Sequence, residues 1–176
     1  MTTREETLAL WRQQEQTVRA KLAAPGVSSL EDLKAGTGME FLQKIWDGVL
    51  PSVPIAETLD FIPVEGEPGR VVFQGTPSKR HYNPLGSVHG GYFCTLLDSA
   101  VACAVHSMLP QGMGYTTLEL KVNLVRALTD KVGPVRAEGK VIQVGKQVGI
   151  AEGRIIDADG KLYAHATTTC LVFPLP

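Results

Sequence analysis

Hydrophobic positions change their spacing several times along the chain. Over residues 3–24, Leu8, Trp11, Val18 and Leu22 fall at helical intervals on an otherwise charged surface, and Ala24-Pro25-Gly26 supplies a stop. That stretch predicts one amphipathic helix. A second is expected after Thr37, because Glu40 three residues on completes a capping-box pattern. Met39, Leu42, Ile45, Trp46 and Val49 then share one face. From about residue 58 the period shortens to two. Residues 58–65 and 70–76 read as paired strands joined by a turn that holds Pro68 and Gly69. An 11-residue loop, PSKRHYNPLGS, leads into a helix from about 88 to 108 that is apolar nearly all round. Four strand patterns follow. TTLELKVNLVR alternates cleanly and puts Leu118, Leu120, Val122 and Leu124 on one face. GPVRAEGKVIQV, QVGIAEGRIID and KLYAHATTTCLVF complete the set, the last two meeting at Asp159-Gly160, a strong hairpin turn.

A helix that is apolar on almost every side must be covered on most of them. One curved antiparallel sheet wrapped around it does this economically, so the fold expected is α+β with additional helices at the N-terminus. A chain of 176 residues supports one such domain with an appendage. The division expected is a helical extension at 1–50 and a sheet-and-helix domain at 51–176.

Composition narrows the function by exclusion. The 17 basic and 18 acidic residues nearly cancel, which removes the electrostatic basis for a nucleic-acid or anionic-membrane partner. MTTREETLALWRQQEQ lacks the apolar core of a secretory signal, and the longest apolar stretch, around 100–105, is too short to span a bilayer. Cys94, Cys103 and Cys170 are odd in number, and two fall in the apolar helix. They read as reduced core residues, which implies a cytoplasmic location. His81, His89, His106 and His165 form no metal-ligand spacing with them, so neither a metal nor another cofactor is expected. His106 reads as a helix C-cap or a partly exposed residue, and His81 and His165 as surface or strand residues.

The stretch NPLGSVHGGYFCTLLDSA, residues 83–100, breaks two rules of helix construction. It begins a helix on two glycines and places a carboxylate, Asp98, among apolar residues. Glycines let a ligand approach the unpaired N–H groups at a helix start, where the dipole favours negative charge. Tight packing is the competing explanation for the glycine pair. Asp98 lies eight residues beyond Gly90, roughly 12 Å along the axis at ~1.5 Å per residue. The two therefore cannot serve one small reacting centre within a single chain. Either Asp98 is a structural carboxylate, or a two-fold dimer brings it to the helix start of a second copy.

These residues closely resemble the N-x-x-G-x-x-H-G-G-x6-D signature of the hotdog acyl-CoA thioesterases of the phenylacetate-degradation (PaaI) type, and TTLELKVNLVRA resembles the strand that follows in that family. The resemblance covers roughly residues 55–173. It implies a hotdog fold and hydrolysis of an aryl- or medium-chain acyl-CoA to free acid and CoA. It further implies that Gly90, helped by His89, polarises the thioester carbonyl, and that Asp98 of the neighbouring subunit acts as general base or nucleophile. Asn83 would orient water or the carboxylate. Thr117, with Thr116 as the alternative, would touch the reacting water, and Arg126, Gly145 and Lys146 would hold CoA. The assembly implied is a homo-oligomer in which a dimer forms the site and dimers pair into a tetramer.

Other chemistries fit less well. No G-x-S-x-G elbow is present, and GKVIQVGKQ misses the P-loop spacing. A hydratase is disfavoured by the lack of any acid between 68 and 97. A non-catalytic acyl-CoA sensor remains the rival, although six basic against seven acidic residues in 1–50 make a poor DNA-binding head.

Overall fold

All six strand patterns form strands, although the first begins at Phe61 and not at 58, because Thr58 and Leu59 close a short helix that Pro54 starts. The computed structural model describes residues 3–176. Among them are helices α1 (Arg4–Arg19), α2 (Leu30–Lys34), α3 (Gly38–Trp46), α4 (Pro54–Leu59) and α5 (Gly90–His106). The strands are β1 (Phe61–Glu67), β2 (Arg70–Gly75), β3 (Met113–Leu124), β4 (Val135–Val144), β5 (Val148–Ile156) and β6 (Leu162–Pro174). They make one antiparallel sheet in the order β1-β2-β4-β5-β6-β3, so β3 is an edge strand although it is third in sequence. The sheet curves around α5 in the hotdog arrangement, with the extra helices N-terminal to it. No helix among the described residues is long and apolar enough to cross a membrane.

Burial of α5 organises the core. Phe93, Leu96, Leu97 and Ala100 pack against Val71 and Phe73 of β2, Val135 and Ala137 of β4, Ile155 of β5, and Ala164 and Ala166 of β6. Leu96, Leu97 and Val101 are wholly buried, each contributing about 2 kcal/mol of transfer free energy. The helix lies very close to the sheet because β4 carries Gly139 beneath it. A Cβ there would stand 2.2 Å from the Ala100 carbonyl oxygen.

The N-terminal helices cover both sides of this assembly. Gln74 and Arg136 are cross-strand partners on the sheet face turned away from α5. The Arg136 guanidinium lies 4.4 Å from the Trp11 ring of α1 and bonds Gln74 Oε1 at 2.9 Å and Glu65 Oε1 at 2.6 Å. Helix α3 goes to the other side, where Leu42 joins the α5 core. Its N-terminus can abut the end of α5 because residue 38 is glycine: a Cβ would collide with the His106 carbonyl.

Several expectations need correction. The first helix ends at Arg19 rather than 24, because the chain turns away to pass Gly48 against the Lys21 backbone, leaving Leu22 beyond the helix. Thr37 does cap α3 through the expected box with Glu40, but Val49 lies past its end and is exposed, while Phe41 is buried. α2 and α4 were not anticipated, being too short to show a periodicity. Their signals were the Ser29/Asp32 capping box and Pro54 at the first helical position. Leu118 does not share the face of Leu120 and Val122, because a bulge between Thr117 and Glu119 reverses the alternation there. Leu118 is 60% exposed, and the buried Thr168 hydroxyl fixes the bulge by donating to the Glu119 carbonyl. His81 is not a surface residue. It is buried, stacked on Tyr92 at 4.5 Å, and accepts the Ser78 N–H at Nδ1. His165 is a half-buried strand residue opposite Arg154 in β5.

The Gly139 contact sets a test of the core. Gly139→Ala should lower stability by about 3 kcal/mol in urea denaturation, since the atoms a methyl group meets are backbone and must move together. An unchanged midpoint would mean that α5 can lift off the sheet freely.

Candidate active site

Three sequence features converge on the start of α5. Tyr82 and Val88 bridge across the loop, and Asn83 holds it shut. The Asn83 side-chain oxygen accepts N–H bonds from Leu85 (2.9 Å) and Ser87 (3.3 Å), while its amide donates to the Ser87 hydroxyl. All of this residue's visible polar work is done within the loop that aims the helix. His89 is the N-cap: its Nδ1 accepts the Gly91 N–H at 2.9 Å, which leaves the ring proton on Nε2, pointing outwards. Tyr92 N–H bonds the His89 carbonyl. The Gly90 N–H has no acceptor among the described residues. Gly90 also abuts the end of β3, where a Cβ would stand 3.2 Å from Leu124 Cδ1.

Asp98 sits two turns further along, beside the bulge in β3. The Thr117 hydroxyl donates to Asp98 Oδ1 at 3.0 Å, leaving Oδ2 unoccupied. Thr117 reaches the carboxylate because the bulge keeps its side chain on the helix side of β3, whereas the neighbouring Thr116 is exposed. Asp98 belongs to the one stripe of α5 that its own subunit leaves partly open: Gly91, Thr95, Asp98 and Ser99 are all half-buried or exposed.

Next to Asp98 opens a cleft of about 410 Å³. Thr117, Ser99, Cys103, Tyr115 and His106 line its α5–β3 side, and Phe41, Leu42 and Ile45 of α3 line the other. The α3 contribution was not legible in the sequence. The capping box located that helix and its apolar face, but not the surface it meets. His106 is neither a cap nor partly exposed. It is buried between Phe41 and Tyr115, with ring centroids 5.5 and 4.9 Å away, and burial pushes its pKa down to about 4. Burial pushes the Cys103 thiol up to about 12 and the Tyr115 phenol well above its usual value. At neutral pH none of the three is charged, so the thiol is not in its nucleophilic thiolate form.

Arg126, Gly145 and Lys146 are not brought together within one chain. Arg126 is exposed near the Leu124 end of β3, 6.0 Å from the Tyr163 ring. Gly145 and Lys146 form the β4–β5 hairpin beside Met113, at the other end of the strand. Twelve residues of β3 separate the two ends, on the order of 40 Å at ~3.3 Å each. No cluster of three or more His, Cys, Asp or Glu suited to a metal ion occurs among the described residues.

A model of the Thioesterase superfamily matches residues 85–164, from the loop before α5 into β6. A protein of Saccharolobus solfataricus named "Putative esterase" is 34% identical over 113 residues, spanning 64% of this chain and 78% of that one. The chain belongs to the thioesterase superfamily. It is similar as well to the 1,4-dihydroxy-2-naphthoyl-CoA hydrolase of Listeria monocytogenes, at 27% identity over 119 residues, 67% of this chain and 94% of that one. The crystal structure of a phenylacetic acid degradation-related protein from Ralstonia eutropha superposes with a TM-score of 0.67 at 27% identity, covering 73% of this chain and 97% of that one. The resemblance to PaaI-type thioesterases thus holds in sequence and in fold, and the reaction class of this superfamily member is thioester hydrolysis. Its matched segment contains Gly90, Asp98 and Thr117 but not α3 or α4, so the apolar wall opposite Asp98 lies outside the segment that defines the superfamily.

His106 gives this thioesterase a pH dependence of stability. Above pH 6.5 the imidazole is neutral folded and unfolded. Between 6.5 and about 4 the unfolded chain binds a proton that the folded one does not, so stability falls as pH falls. That interval corresponds to about 3 kcal/mol. Urea midpoints should decline through this window in the native protein and decline less in His106→Phe. His81, shifted downwards by burial too, accounts for part of any remaining slope.

Proposed function

We propose that this thioesterase hydrolyses acyl-CoA at a site completed by two copies of the chain, with Asp98 of one facing Gly90 of the other. The observation that carries this reading is the placement of the two groups along β3. Asp98 is bonded to Thr117 and Gly90 abuts Leu124, seven residues further on the same open edge strand. An antiparallel pairing of two β3 strands that sets Thr117 opposite the partner's Leu124 carries Asp98 to the partner's Gly90. It also covers the open stripe of α5. The same two-fold reverses the strand ends, so Arg126 of one subunit approaches the partner's Gly145 and Lys146, where a CoA could span both.

The chemistry follows from these positions. The thioester carbonyl oxygen points at the Gly90 N–H, at the positive end of α5, with the His89 Nε2–H beside it. Asp98 Oδ2 takes a proton from a water molecule as its oxygen attacks the carbonyl carbon. The resulting oxyanion gains most from the Gly90 N–H, because negative charge there is greatest in the transition state. Collapse of the tetrahedral intermediate breaks the C–S bond. The thiolate leaves as CoA, the proton held on Asp98 passes to it, and the carboxylate is restored. The Thr117 hydroxyl fixes Oδ1 and so directs Oδ2 at the water. The relative from Listeria is named for hydrolysis of a CoA thioester, which supports CoA as the leaving group. A cytoplasmic setting and pairing of dimers into a tetramer complete the proposal.

Thiol release from acyl-CoAs tests it. Asp98→Asn keeps the size of the side chain but removes the base, and should lower kcat by a hundredfold or more; Thr117→Val should lower it about tenfold. Equal rates in wild type and Asp98→Asn would make Asp98 structural. A stable monomer at micromolar concentration in analytical ultracentrifugation would overturn the composite site.

A further inference from the structure

The cleft at Asp98 has a second chamber behind it. An apolar hollow of about 220 Å³ lies on the far side of Ile45, Val53, Ala56, Phe61 and Phe73, and those five side chains line both spaces. The far chamber is lined further by Leu22, Ala23 and Pro25, where the chain leaves α1, and by Ile62 and Pro63 of β1. Its polar groups are confined to Arg19, Ser52 and Glu57. Of these, Arg19 is already paired with Glu15 at 2.8 Å and Asp60 at 2.7 Å.

The partition between the chambers is weak at one place. Ala56 has the smallest side chain of the five, and Val53, which precedes α4, is 42% exposed. α4 is a six-residue helix whose N-cap makes no side-chain hydrogen bond, so this corner is held by backbone bonds and apolar packing. All five partition residues are hydrocarbon or aromatic. A hydroxylated ring pushed between them would lose its hydrogen bonds to water and gain none, whereas a polymethylene chain loses nothing polar.

We infer that α3, α4 and the segment joining them form an acyl-chain channel: the substrate of the Asp98 site is a straight-chain acyl thioester of medium to long length, whose tail passes Val53 and Ala56 into the far chamber. This rests on the acyl-CoA thioesterase reading above. The carbonyl stays at Asp98, and the tail runs away from β3 between α3 and the β1–β2 hairpin. Chain length is sensed where Val53 and Ala56 narrow the way. Aryl thioesters fill the near cleft alone and gain nothing from the far chamber.

Two measurements test the channel. In the first, kcat/KM is determined for saturated acyl-CoAs from C4 to C16 and for benzoyl- and phenylacetyl-CoA. In the native protein it should rise roughly fourfold per added methylene, the factor given by ~0.8 kcal/mol per buried CH₂, until the channel is full at C10 or beyond. Val53→Trp should reduce the dodecanoyl-to-butyryl ratio at least tenfold and shift the optimum to shorter chains. Ile45→Ala should move it to longer ones. The second measurement, binding of cis-parinaric acid read by its fluorescence, requires no turnover. The native protein should bind it saturably and Val53→Trp at least tenfold more weakly. Hydrolysis with an optimum that neither variant moves, or a tenfold preference for the aryl thioesters, would overturn the channel while leaving the thioesterase reading intact. Saturable binding that Val53→Trp weakens, with no thiol release from any acyl-CoA, would do the reverse. Absence of saturable binding would overturn the channel directly.

Discussion

The structure depends on covering α5. A helix with Phe93, Leu96, Leu97, Ala100, Val101, Ala104 and Val105 all buried has no hydrated face wide enough to stand alone. Its cover comes from different parts of the chain. The concave face of the sheet takes most of it, at a distance so short that only glycine fits at position 139. α3 takes another side, entering through Gly38 at the end of α5. What remains is the stripe from Gly91 to Ser99, and Asp98 lies on it. The candidate site is therefore where the cover ends, and the one carboxylate of a mostly apolar helix is left accessible.

The same arrangement explains how a site with so few polar residues can work. Cys103, Tyr115 and His106 share the cleft with Asp98, and burial keeps each of them neutral at pH 7. In the proposed mechanism a carboxylate oriented by Thr117 and a bare helix N-terminus serve a reaction whose leaving group is a thiolate. Those two elements lie on one rigid helix, too far apart to cooperate, so their fixed separation favours a two-fold assembly over any rearrangement within the chain. The β3 bulge contributes directly, since without the register change at Leu118 the next alternating residues would not hold both Thr117 and Leu120 on the helix side.

The helices before residue 60 lie outside the segment, residues 85–164, that matches the superfamily model. α1 is fastened to the outer face of the sheet by the Arg136–Trp11 stack and the Gln74 hydrogen bonds, and α3 and α4 pass to the inner face around the β1 side. They thereby place an apolar wall opposite Asp98 that the superfamily segment lacks.

Strand order in sequence, the hairpin at Asp159-Gly160, the central helix and the Gly90/Asp98 pair were all legible in the amino-acid sequence, because periodicity, turn residues and helix capping act over a few neighbours. The approximate 12 Å between Gly90 and Asp98 was legible too, since helical rise is fixed. Three matters were decided by tertiary structure. The β3 bulge exposes Leu118 because pairing with β6, not local preference, sets the register. His106 and His81 are buried because aromatic neighbours distant in sequence close over them: Phe41 and Tyr115 on one, Tyr92 on the other. The cleft depends on α3 meeting α5 more than fifty residues away. Each of these is a contact between segments that carry no mark of one another in sequence, and each arises because a chain that must hide one long apolar helix brings its remaining parts to it.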